Sequence, residues 1–434
     1  QFYVVVMEAK DTQAKASNAA DRDNKGNRVD NIDRVNRVNK VLKVSNDNHT
    51  QHPKHGWEVK KLGEVGTIIG GSTPKTSEPS YWNGEHFWVT PAELDGSKYI
   101  SSTSRTITNE GVKSAHLQLL PPGTILLSSR APIGKVAITR VPMYSNQGFK
   151  NLICADNLYN EYAYWFLYHN TEYLNSLGTG ATFKEISKRI VEQIPIPIPP
   201  MEEQERIVEE LDCLSGVIER KREQLKQLDA LAQSIFYDMF GDPIINEKGW
   251  EVDKLGNLGE IIAGSTPSTT DDSNWGGNIN WVTPAELNEQ LYYGETIRKI
   301  TEKAAKSLTL MPIGTVLLSS RAPIGKLAIT TTPMCCNQGF KNIICSNRIN
   351  NVFLYHYLKL TIDDIKALGR GATFKEVSKK NISDYKIYIP PLSLQEEFAD
   401  KIEAIEKQKE LLKRSIKEVE TLFDARMDYY FGDT

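Results

Sequence analysis

Two stretches of this chain carry the same letters: Leu126-Leu127-Ser128-Ser129-Arg130-Ala131-Pro132-Ile133-Gly134-Lys135 and Leu317-Leu318-Ser319-Ser320-Arg321-Ala322-Pro323-Ile324-Gly325-Lys326. A Gly-Lys pair beside serines and an arginine invites a nucleotide-binding reading. A phosphate loop needs a glycine five residues before the Gly-Lys, so that successive amides wrap a phosphate, and a hydroxyl after the lysine for magnesium. Here the earlier position is Ser129 or Ser320, and Val136 or Leu327 follows the lysine. The spacing excludes nucleotide triphosphate at this motif.

Other chemistry fares no better. There is no Gly-rich strand-turn-helix opening with an Asn/Asp-Pro-Pro-aromatic loop for methyl transfer, no G-x-S-x-G elbow and no H-E-x-x-H. His86, His116, His169 and His356 are scattered and lack counterparts across the repeat described below. His49, His52 and His55 are three apart in a polar, Pro-containing stretch, where accidental spacing outweighs a metal site. The five cysteines have no CxxC spacing, which argues against zinc and against a disulfide framework. No catalytic site, cofactor or metal is expected.

What must be positioned is therefore duplicated rather than catalytic. "GWEVKKLGEVGTIIGGSTP" from Gly56 returns as "GWEVDKLGNLGEIIAGSTP" from Gly249. "WVTPAEL" recurs at Trp88 and Trp281, "NQGFKN" at Asn146 and Asn337, and "GATFKE" at Gly180 and Gly371. The offset is 193 residues at Trp57/Trp250 and 191 at Arg130/Arg321, so a two-residue difference falls between Leu94 and Leu126. Each copy reads as short strands punctuated by Gly and Pro with helical pieces such as "NEYAYWFLYHNTEYLNSL", an α/β (α+β) globule. A unit this long is a domain, not a solenoid repeat.

Each copy ends in prolines, Ile194-Pro195-Ile196-Pro197-Ile198-Pro199-Pro200 and Tyr388-Ile389-Pro390-Pro391, and a long amphipathic stretch follows. Ile207, Leu211, Leu214, Ile218, Lys221, Leu225, Leu228, Ala232, Ile235 and Met239 alternate spacings of four and three, a coiled-coil seam. The second stretch gives Phe398, Ile402, Ile405, Lys409, Leu412, Ile416, Val419, Phe423, Arg426 and Tyr430. Two stripes of equal length are expected to pack on each other, each about 60 Å long at 1.5 Å per residue. The organisation is a tail at 1–55, a globule at 56–200, a helix at 201–240, a globule at 241–391 and a helix at 392–434.

The chain of 434 residues carries a net charge of −3. The two helices hold −8 and residues 1–55 hold +3, so the globules are only slightly basic. That is far from the Lys/Arg stripe of a strong lone nucleic-acid binder. No apolar run approaches the roughly 18–20 residues of a bilayer span. "FYVVVM" at the start lacks the flanks of a secretory signal. The expectation is a cytoplasmic protein with no membrane contact.

The junctions "IPIPIPPMEEQERIVEELD" and "IYIPPLSLQEEFADKIEAI", with "GSTP…WVTPAEL" and "LLSSRAPIGK…NQGFKN", resemble the specificity subunit of type I restriction–modification systems. The resemblance runs in register over residues 56–434 in both halves. It implies two target-recognition domains separated by two long helices packed as an antiparallel coiled coil, with pseudo-two-fold symmetry. It also implies a non-catalytic reader of an interrupted site in double-stranded DNA, one half-site per domain. The partners would be two methyltransferase subunits, which hold the S-adenosylmethionine, and a restriction motor–nuclease subunit for cleavage.

Under that resemblance Arg130 and Arg321 suit guanine or a phosphate, and Gln147 and Gln338 suit adenine. Lys135, Lys150 and Lys184 with Lys326, Lys341 and Lys375 suit phosphates. Thr73 and Thr266, in Gly-Ser-Thr-Pro turns, suit either. The competing reading makes the shared letters scaffold, because residues that read bases should differ when the targets differ. A structural coiled-coil protein whose globules bind protein is the alternative function.

Overall fold

The computed structural model describes residues 56–179, 184–288, 290–369 and 376–432. The tail with its three histidines, most of both "GATFKE" stretches and Lys375 lie outside the described residues. The chain divides into two compact units, one running to Arg206 and taking in Phe431, the other spanning Ile207–Tyr430.

The first unit opens with β1 (Glu58–Lys61), β2 (Gly66–Gly70), β3 (Trp82–Val89), β4 (Tyr99–Ile100) and β5 (Thr106–Ile107). Helix α1 (Asn109–Ser114) precedes β6 (Ile125–Leu127), β7 (Val136–Thr139), β8 (Tyr144–Ser145) and β9 (Lys150–Cys154). Then come α2 (Asn160–His169), α3 (Thr171–Ser176), α4 (Lys188–Glu192) and β10 (Pro195–Ile198), before the long helix α5 (Met201–Phe240). The strands form a mixed five-stranded sheet in the order β2-β9-β6-β7-β4 and a three-stranded sheet β5-β3-β8, and β1 pairs with β10. β6 and β7 are buried at every residue, which is why their sequences are continuous apolar runs rather than alternations.

The second unit repeats the plan. It contains β11 (Glu251–Lys254), α6 (Leu255–Leu258), β12 (Gly259–Ala263), β13 (Trp275–Val282), β14 (Tyr292–Tyr293) and β15 (Lys299–Ile300). Next are α7 (Glu302–Ala305), β16 (Val316–Leu318), β17 (Leu327–Thr330), β18 (Met334–Cys336) and β19 (Lys341–Cys345). It ends with α8 (Asn351–Leu360), α9 (Ile362–Ala367), α10 (Lys379–Asp384), β20 (Lys386–Ile389) and α11 (Leu392–Phe431). Its sheets run β12-β19-β16-β17-β14 and β15-β13-β18, strand for strand the same order. The two-residue offset falls after α1: Ala115 caps that helix and His116 adopts φ +49°, whereas α7 is shorter and Leu308 follows Ser307 directly.

Each long helix starts at a proline stop and is tied there by one glutamine. Gln204 is fully buried; its amide donates to the carbonyls of Pro199 (2.9 Å) and Asn157 (3.0 Å) and accepts from the Tyr159 amide (2.8 Å). Gln395 does the same with Pro390 (2.7 Å), Arg348 (3.4 Å) and Asn350 (2.8 Å). A buried amide must find such partners or lose the desolvation energy of its groups.

Every seam position named from the sequence is buried or half-buried. The helices run antiparallel over Ile207–Phe240 and Leu392–Tyr430, because cross-helix partners rise in number on one and fall on the other. Glu210 meets Arg426 (2.9 Å), Arg222 meets Glu420 (2.5 Å) and Asp229 meets Lys409 (2.8 Å). The charged seam positions Lys409 and Arg426 thus sit against carboxylates of the opposite helix. Beyond the seam, Phe236 and Phe240 join Phe353, Tyr357 and Phe398 in one core, so the second globule and the helices share apolar packing. Phe431, the counterpart of Phe240, packs on Tyr162 (5.4 Å) and Phe166 (5.9 Å) of α2.

Candidate functional site

The "RAPIGK" turn is closed by its own serine. Ser128 Oγ donates to the Pro132 carbonyl (2.7 Å) and accepts from the Lys135 amide (2.9 Å), while the Gly134 amide donates to the Ser128 carbonyl (3.0 Å). Ser319 repeats these bonds with Pro323 (2.7 Å), Lys326 (2.8 Å) and Gly325 (3.0 Å). The amides at Gly134 and Lys135 are spent inside the turn. Gly134 is glycine because its φ is +93° and a Cβ would lie 2.8 Å from Thr171. The motif is a tight turn that displays one exposed arginine, not a phosphate cradle.

That arginine is held by a carboxylate far along the chain. The segment after "GATFK" lies beside the turn, with the Ile186 amide donating to the Ser129 carbonyl (2.9 Å). Glu185 Oε2 takes the Nε of Arg130 at 2.9 Å and its Oε1 takes Lys150 Nζ at 3.1 Å; Lys150 also reaches Ser129 Oγ (3.2 Å). In the second copy Glu376 holds Arg321 (3.0 Å) and Lys341 (3.2 Å), and Lys341 reaches Ser320 Oγ (3.2 Å). Partial burial alone would raise each carboxyl, but hydrogen bonds from the lysine and the arginine outweigh it and hold both below the ordinary range. The Nε–H of each arginine is taken, leaving the four Nη–H of the guanidinium without a partner among the described residues. Lys150 and Lys341 face inward, with 13% and 9% of their side chains exposed.

The second element of the site is the pair Thr73 and Gln147. Gly71 lets two loops meet: a Cβ there would lie 1.9 Å from the Asn146 carbonyl, and at Gly264 2.2 Å from that of Asn337. The Ser72 amide bonds the Ser145 carbonyl (2.9 Å) and Ser265 bonds Cys336 (2.9 Å). This closeness brings the Thr73 hydroxyl onto Gln147 Oε1, and Thr266 onto Gln338 Oε1 at 2.5 Å. Both glutamines are exposed, and each keeps its NH₂ and one Oε1 lone pair available.

The Gly-Ser-Thr-Pro turn is clamped from behind by two indoles. Trp88 Nε1 donates to the Ser72 carbonyl (3.1 Å) and Trp82 Nε1 to that of Lys75 (3.3 Å). Trp281 and Trp275 bond Ser265 and Ser268 at 3.1 Å each. Across these pairs lie Arg105 and Arg298, each 3.8 Å from the nearer ring centroid and 5.2 Å from the farther.

The remaining lysines are placed unequally. Lys135 Nζ donates to the Leu94 carbonyl (2.8 Å), joining "RAPIGK" to "WVTPAEL". Lys326 is half-buried, and Lys184 is exposed. Sequence reasoning missed Glu185, Glu376, the outer tryptophans and Arg105/Arg298. All six recur at the repeat's own offsets, which was the available signal. Among the described residues no group of three His, Cys, Asp or Glu is placed to hold a metal, and no helix is long and apolar enough to cross a membrane.

Comparison with known proteins follows this geometry. A family model described as the type I restriction modification DNA specificity domain matches residues 54–230 and again 247–421. The type I restriction enzyme MjaIX specificity subunit of Methanocaldococcus jannaschii is 32% identical over 373 residues, 79% of this chain and 85% of the relative. A structure of an S subunit from M. genitalium aligns with TM-score 0.55 at 15% identity, covering 90% of this chain and 99% of that one. Another, described as showing complex assembly and conformational transition of the type I R-M system, gives TM-score 0.57 at 21% identity, covering 87% and 98%. These two establish the fold.

Proposed function

Since the chain belongs to the type I restriction–modification DNA specificity family, a family of DNA sequence recognition, we propose that it reads an interrupted duplex site, one half-site per globule. It does so without catalysing a reaction itself. The observation that supports this most directly is the duplicated Arg–Glu–Lys and Thr–Gln geometry, whose Arg–Glu and Lys–Glu distances agree within 0.1 Å between copies.

The chemistry suits base edges in the major groove. With Nε tied to Glu185 or Glu376, the Nη edge of Arg130 or Arg321 meets guanine O6 and N7. Gln147 and Gln338 donate to adenine N7 and accept from N6, with the threonine hydroxyl fixing which way the amide points. Lys150 and Lys341 act through the carboxylate, while the exposed Lys184 serves a phosphate. The globules span 56–200 and 241–391. The acidic outer faces of the long helices receive two methyltransferase subunits, which bind S-adenosylmethionine, and a restriction motor–nuclease joins for cleavage.

The test is a base-by-base binding scan around the methylated site, with wild type, Arg130→Ala and Arg321→Ala in complex with methyltransferase subunits. Each variant should lose roughly 1–3 kcal/mol of discrimination at a base in a different half-site. If both discriminate as wild type does, these arginines are scaffold and the assignment fails.

A further inference from the structure

Arg105 and Arg298 lie in the stretch where the two copies diverge most, yet both are kept, each two residues after a threonine. Their neighbours are not: Ser104 stands opposite Ile297, and Thr106 opposite Lys299. The threonine fixes the arginine's backbone. Thr103 Oγ1 donates to the Arg105 carbonyl (2.6 Å) and accepts from the Trp88 amide (3.2 Å); Thr296 does the same for Arg298 (2.6 Å) and Trp281 (3.1 Å).

Both arginines are exposed, and their guanidinium groups have no carboxylate or carbonyl partner among the described residues. They differ in this from Arg130 and Arg321, each held by a glutamate, and from Arg348, held by Glu251 and Asp253. The ring contacts at 3.8 and 5.2 Å fall within cation–π range and hold the cation through its charge, without a carboxylate taking its N–H groups. The tryptophans beneath are those that clamp the Thr73 and Thr266 turns.

We infer that Arg105 and Arg298 bind phosphodiester oxygens of the duplex, one backbone clamp beside each base-reading pair. A cation posed the same way in both copies, whatever its neighbours, suits the one feature of DNA that is uniform from site to site. A planar fork matches two phosphate oxygens better than an ammonium does. The inference rests on the DNA-reading site proposed above and adds a residue with a different duty.

The experiment measures binding of the complex with methyltransferase subunits to cognate and scrambled duplexes over a salt series. Arg105→Gln removes the charge but keeps a stem on the indoles, and Arg105→Lys keeps the charge. Arg105→Gln should weaken both duplexes by a similar factor, roughly three- to tenfold, and flatten the log K against log salt slope by about 0.9. Arg105→Lys should keep the slope, and Arg298 variants should match. An unchanged slope in Arg105→Gln, or a loss confined to one base pair, overturns the inference. Failure of the base-reading proposal shows separately, as unchanged discrimination in Arg130→Ala and Arg321→Ala.

Discussion

On α2 of the first globule Trp165 packs edge-on to Tyr164 (5.0 Å) and Tyr168 (5.6 Å), with Lys98 Nζ 5.3 Å above its ring. At the same turn of α8 the second globule has His356, packed against Tyr355 (5.2 Å) and Phe398 (5.3 Å). Nearby, the first globule pairs Lys98 with Glu161 (2.9 Å), where the second has Leu291 and Val352 in an apolar cluster. On the three-stranded sheet His86 meets Asn109 (3.0 Å), where the second has Ile279 and Glu302. The site geometry survives all of these changes. The differing residues are replaced in matched sets even where they tie separate segments: Lys98 and Glu161 stand 63 residues apart, and both give way to apolar residues in the second globule. An ion pair is exchanged only with both partners, and Glu185 holds Arg130 and Lys150 at once, so that set would need three matched changes.

The ends of the long helices should show the largest difference between halves. Phe240 is fully buried among Phe353 (4.9 Å), Phe236 (5.1 Å) and Phe398 (5.3 Å). Phe240→Ala should cost about 3–5 kcal/mol in denaturant unfolding of the whole chain. Phe431 is 7% exposed against more distant rings, and Phe431→Ala should cost about half as much. Equal losses would mean that the two ends carry equal weight.

The site itself should behave alike in both halves. Glu185→Ala strands Lys150, and Glu376→Ala strands Lys341. Breaking a buried pair costs about 3–5 kcal/mol, but these carboxylates are 35% and 36% exposed, so about 2 kcal/mol each is expected. Adding Lys341→Met to Glu376→Ala should recover much of that stability. A loss in one half without its match in the other would break the equivalence of the two sites.

The seam of the long helices was legible because a period of 3.5 residues needs no partner to be seen, and every position it picked faces inward. Phe236 and Phe240 escaped it because they face the globule, off the seam. The display of Arg130, Gln147 and their mates was legible from repetition. Their support was not: the Arg130–Glu185 bond joins residues 55 apart, and no local pattern reports which carboxylate lies beside which cation. Lys150 and Lys341 looked like phosphate contacts for the same reason, since a lysine opening a strand reads as exposed until the strand beside it is known.

The smallest expected effect isolates the Trp165/His356 difference. Burial pushes the His356 imidazole down to about 3, Lys359 and Lys409 push the same way, and Asp229 opposes them. Lys409 is itself paired with Asp229 and Glu406. Above about pH 6.5, the ordinary histidine value, folded and unfolded chains both hold this ring neutral, and it adds no pH dependence. As pH falls through 6.5 the unfolded chain takes a proton that the folded chain refuses, so stability falls until the pH nears 3. At pH 5.5 the loss from this one group is about 1.4 kcal/mol. Trp165 cannot titrate, so the first globule has no such contribution at that position. His356→Leu should therefore lose about 1.4 kcal/mol less than wild type between pH 7.5 and 5.5 in denaturant unfolding, while Trp165→Leu leaves the pH difference unchanged. If wild type and His356→Leu lose the same amount over that interval, the histidine is protonated in the folded chain and the second globule is no more acid-sensitive than the first on its account.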